Sequence, residues 1–65
     1  MGPPWPPPGL ARPAQRALAG AGIEGLAALA RHSAAEVAAL HGMGPNAMQR
    51  LQTALAAEGL RFRAP

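Results

Sequence analysis

Leu40-His41-Gly42-Met43-Gly44-Pro45-Asn46-Ala47-Met48 lies between two amphipathic segments and reads as helix, tight hairpin, helix. Two glycines one residue apart supply the backbone freedom that a sharp reversal needs. Pro45 suits the first position of the second helix, where its missing N–H is not required. Met43 is placed to plug a core while the backbone on either side of it stays bare. The N–H groups of Gly44, Asn46 and Ala47 then point outward at the positive end of a helix, a setting suited to a phosphate.

The flanking segments supply the helices. Upstream, Ser33-Ala34-Ala35-Glu36 has the pattern of a capping box, the serine accepting from the third residue's N–H and the glutamate reaching back. It opens a helix whose buried face is Val37 and Leu40. Downstream, Pro45 to about Glu58 is helical, with Met48, Leu51 and Leu55 facing in, supported by Ala47 and Ala54. Gly59 ends it, and Leu60 is placed to close back on Leu55 in a Schellman arrangement. Arg61-Phe62-Arg63 follows as a short tail, residues 61–65, in which Phe62 adds one late apolar contact.

Nearer the N-terminus, a helix is predicted from Pro13 to Gly20, with Ala14, Ala17 and Leu18 inside and Arg12, Gln15 and Arg16 outside. Ile23, Leu26, Leu29 and Ala30 continue at helical spacing, interrupted by Gly25. Residues 1–9, with Pro3-Pro4-Trp5-Pro6-Pro7-Pro8, exclude helix and read as an extended polyproline tail. Trp5 is its one large side chain, able to fold back onto the domain. Aligned with itself, the chain repeats weakly: Leu18, Gly20 and Gly22 recur as Leu40, Gly42 and Gly44, and Leu29 recurs as Leu51. The first copy lacks the Met43 plug and a proline start, and so reads as a degenerate, structural hairpin.

Gly42-Met43-Gly44, Ala47 and the apolar stripe that follows are similar to the helix-hairpin-helix motif of DNA-binding proteins. From Leu10 to Leu60 the chain also resembles the C-terminal domain of the bacterial RNA polymerase alpha subunit. The likeness rests on the Leu10 start, the Ile23 and Leu26 stripe, Glu36-Val37, Gly44 and the closing Leu55-Ala56-Ala57-Glu58-Gly59-Leu60. It implies an all-α, SAM-like bundle of four to five short helices over residues 10–60, with one good and one degenerate hairpin. Members of that family bind the DNA minor groove and touch transcription activators. The family's groove-entering arginine falls here on Pro13, with Arg12 beside it, and Arg16 takes a nearby contact position. Two lysines after the matching Gly44 become Pro45 and Asn46, and a serine becomes Ala47. The phosphate-facing backbone persists, whereas most groove-reading side chains differ.

Composition sets the outer limits. With 65 residues and no cysteine, the chain is one small domain with neither a disulfide nor a thiolate metal site to support it. Cores of that size rarely supply more than about 3–5 kcal/mol. No apolar run nears the roughly 20 residues of a membrane span. The proline-rich start lacks the charged beginning and apolar centre of a signal peptide, which predicts a cytoplasmic protein, nucleoid-associated if it binds DNA. Six arginines against three glutamates give a net charge of +3, an excess that favours polyanions. Arginine, alanine, glycine and proline share GC-rich codons, so part of that excess reflects base composition.

Glu24, Glu36 and Glu58 are scattered, Ser33 and Glu36 are committed to a cap, and no nucleophile–base pair stands out, so catalysis is not expected. His32 and His41 are wrongly spaced for one helix face and lack a third ligand. No metal, cofactor, small-molecule substrate or membrane partner is expected. The expected function is weak, largely sequence-independent DNA binding in bacterial transcription or DNA maintenance. Gly42, Gly44, Asn46 and Ala47 would hold a phosphate, with Arg12, Arg16 and Arg50 around it. The minor groove is the place the resemblance implies. The alternative is a protein-interaction module of the same fold, acting through the proline-rich tail or a helix face, in which Gly-x-Gly merely turns a corner.

Overall fold

Four helices are present among the described residues, 5–64, of this computed structural model. They are α1 (Arg12–Gly20), α2 (Leu26–Leu29), α3 (Ala34–Ala38) and α4 (Pro45–Ala57). No strand accompanies them among those residues, only an isolated parallel bridge between Ser33 and Arg63. The domain is all-α. Among the described residues no helix is long and apolar enough to cross a membrane.

The core follows the 3.6-residue period. Ala14 and Leu18 of α1, Leu26 and Leu29 of α2, Val37 of α3, and Ala47, Leu51 and Leu55 of α4 are buried together with Leu10 and Ile23. Met43, Met48, Leu40, Ala54 and Phe62 pack around them, half-buried. Gln15 departs from the expected outward face. It is half-buried, and its side-chain amide donates to the Leu10 carbonyl at 2.8 Å, tying the incoming chain to α1.

Two turns differ from the sequence reading in ways that change the repeat. Gly20 is still helical; the residue that breaks α1 is Gly22, at φ +76°. Ile23 N–H donates to the Leu18 carbonyl at 2.9 Å and Gly22 N–H to Ala19 at 3.0 Å, the paired bonds of a Schellman closure. Ile23 then drops into the core outside any helix, and Gly25 precedes α2 in an extended conformation instead of interrupting it. Gly22-Ile23 therefore corresponds to Gly42-Met43, with a positive φ followed by an apolar plug in both copies. The first copy does have a plug, because register is set by which glycine must take a positive φ, not by glycine spacing.

α4 ends as expected. Gly59 has φ +70°, with Leu60 N–H on Leu55 at 2.8 Å and Gly59 N–H on Ala56 at 3.0 Å. The residues after it lie against the body. Phe62 is half-buried, Arg63 N–H donates to the His32 carbonyl at 2.9 Å, and the Arg63 guanidinium binds the Glu36 carboxylate.

At the other end, Trp5 is half-buried against the core and Pro7 is buried. Trp5 to Gly9 bends and turns, with Gly9 at φ +86°, where a uniform polyproline helix was expected. Burying the Trp5 ring and turning at Gly9 bring this segment back over α4. Pro3 and Pro4 lie outside the described residues.

Candidate nucleic-acid interface

The turn from α3 to α4 uses its two glycines differently. Gly42, at φ +93°, takes the left-handed region that glycine alone adopts cheaply. A Cβ there would also meet the Pro13 carbonyl oxygen at 2.8 Å. The reversal is therefore seated on Pro13, in the first turn of α1. Gly44 is extended (φ −120°, ψ 175°) and needs no glycine freedom, so the expectation that both glycines bend the chain is corrected to Gly42 alone. The space over Gly44 is empty: nothing lies within 4 Å of where a Cβ would sit.

Gly44 is the N-cap of α4, and no side chain caps that end. Pro45 fills the first helical position, and the first main-chain bond of the helix is Met48 N–H to Gly44 at 3.0 Å. Gly44, Asn46 and Ala47 N–H have no acceptor among the described residues. Pro45 and Asn46 are exposed, while the Ala47 methyl is buried. A helix terminus with free amides and half of a positive unit charge is a weak anion site.

The three glutamates face other partners. Glu36 is held by the capping box, with both of its bonds at 3.1 Å, and by Arg63. His32 Nδ1 is 3.5 Å from its other oxygen. The Ser33 backbone N–H above all, then the Ser33 hydroxyl, Arg63 and His32, hold the Glu36 carboxyl below its ordinary range. Glu24 and Glu58 line a different groove, with Trp5 and Leu60.

The arginines divide. Arg50 lies one turn along α4 from Asn46 and lines the same groove, with Pro7 and Pro8 as the facing wall. Its guanidinium lies on the Gly9 backbone so closely that a Cβ at Gly9 would sit 2.6 Å from Nη1. Arg12 is exposed and precedes Pro13, the residue whose carbonyl lies against Gly42. Arg16 lines another groove, with Trp5, Pro6 and Glu24. Gly42, Gly44, Asn46 and Ala47 thus lie together at the start of α4 with Arg50 one turn along it, and Arg16 borders the tryptophan. Sequence reasoning did not place Pro7, Pro8, Gly9, Gln49 or Thr53 near Arg50. The one signal for them was an isolated glycine directly after a proline run.

Comparison with protein families, with characterised proteins and with solved structures returns no match.

Proposed function

We propose that this chain is a helix-hairpin-helix domain that binds DNA weakly and largely without regard to sequence, in the manner of the polymerase alpha C-terminal domains it resembles. The observation that carries this reading is the uncapped amino end of α4, open over Gly44, with Asn46 in its first turn and Arg50 one turn further along. One phosphate sits on the Asn46 and Ala47 amides, and the arginines take its neighbours. Such contacts position a protein on the backbone and carry no sequence information. The proposed role is non-catalytic.

Titration of duplex DNA at several salt concentrations tests it. Neutralising two or three phosphates predicts a log K against log salt slope of roughly −2 to −3. Gly44→Asp is the decisive variant. Its carboxylate would cap the free amides and repel phosphate, so binding should vanish while the helix gains stability. Unchanged DNA affinity in that variant would refute the proposal.

One observation favours a second reading, a protein-interaction module. Leu60 is a large apolar side chain left 38% exposed, and it lines a groove with Trp5, Leu26, Glu24 and Glu58. A partner captured through Leu60, with no measurable affinity for DNA, would decide for it.

A further inference from the structure

The groove between residues 7–8 and α4 is concave and asymmetric. One wall is Pro7 and Pro8; the other carries Asn46, Gln49, Arg50 and Thr53 of α4. Its volume is about 500 Å³, within the range of small-molecule sites and far too small to admit a duplex. The proline wall also keeps this face of α4 from lying in a major groove, since a reading helix must protrude. No carboxylate lines the groove, and its one charge is the Arg50 guanidinium braced on Gly9.

The side-chain amides of Asn46 and Gln49 have no hydrogen-bond partner among the described residues. The Thr53 hydroxyl donates to the Gln49 carbonyl at 2.9 Å, which leaves its oxygen able to accept. A row of amide donors and acceptors facing proline rings matches a flat, apolar group whose edge carries donors and acceptors, next to an anion. An unpaired nucleotide has that chemistry. In a duplex the pairing edges of the bases satisfy each other and are hidden.

Resting on the DNA-binding reading above, we propose that this groove receives one unpaired nucleotide of a single strand. The base lies against Pro8 with its edge on Asn46 and Gln49, and its phosphate sits at Arg50. The groove thus makes single-stranded nucleic acid the preferred substrate class of the same end of the molecule.

Fluorescence anisotropy on the full chain at low salt tests this with three labelled probes of equal phosphate count. They are an oligothymidylate, an abasic single strand and a blunt-ended duplex of two separate strands. The oligothymidylate should bind about fivefold more tightly than the other two, the equivalent of one net hydrogen bond of about 1 kcal/mol from the base edge. Thr53→Leu and Gln49→Leu, both on the exposed face of α4, fill the groove and should erase that preference while leaving duplex affinity unchanged. Far-UV circular dichroism checks that each variant keeps its helices. Equal affinity for all three probes, or a preference that survives both variants, overturns the groove assignment and leaves DNA binding intact. No binding to any probe overturns both.

Discussion

Gly42 and Gly44 look equivalent in the sequence and are not equivalent physically. Gly42→Ala places a Cβ at φ +93° and 2.8 Å from the Pro13 carbonyl oxygen, so strain and collision act together. A loss of about 1–3 kcal/mol is expected in urea denaturation. Stability equal to the parent would show that the hairpin is not seated on α1. Gly44→Asp should do the reverse. Its backbone is already in the N-cap conformation, and a carboxylate at that end is worth a few tenths of a kcal/mol for capping plus about 0.3–1 kcal/mol from the dipole. A higher melting temperature combined with lost DNA binding separates function from folding at one residue.

At the scale of elements, α3 has only five residues and depends on its ends. Ser33 is 5% exposed, its hydroxyl caps Glu36 N–H, and its strand-like pairing with Arg63 brings the C-terminal segment alongside. Ser33→Ala should cost about 1–2 kcal/mol, the upper half of the usual range for a lost cap. Glu36 adds a pH dependence whose sign follows from its lowered pKa. A carboxyl bound more firmly when ionised contributes stability above its ordinary value near 4.5, and that contribution is lost as pH falls through the lowered value. Melting temperature should therefore drop on acidification below that range. In Glu36→Gln the drop should be smaller, because an amide keeps the capping reach but not the ionisation. Parallel curves for the two proteins would exclude this origin.

For the molecule as a whole, the margin is small. Leu51 is fully buried at the centre of α4, and Leu51→Ala should cost about 2–5 kcal/mol, comparable with all that a core of this size supplies. That variant is expected to be largely unfolded by circular dichroism at room temperature. Trp5 reports whether the N-terminal segment belongs to the same cooperative unit. As the chain's one tryptophan, half-buried against the core, its fluorescence should change along the same denaturation curve as the helix signal. A Trp5 transition that precedes helix loss would mean that the segment, and with it the wall of the groove, detaches first.

Periodicity and capping chemistry are local, and they determined α1 and α4 to within a residue or so, the start of α3 at the Ser33–Glu36 box though not its end before Leu40, the Gly59 closure and most of the buried leucines. These features were readable because each depends on residues within one or two turns. The start of the short α2 and the true register of the repeat were not, because whether Gly20 or Gly22 turns depends on where Ile23 can be buried. Tertiary packing alone decided that Gly42 abuts Pro13, that Arg50 rests on Gly9 and that a proline segment walls the polar face of α4. Those contacts join residues far apart in the chain, and their geometry comes from packing ten small apolar side chains into one volume. No window of sequence contains it.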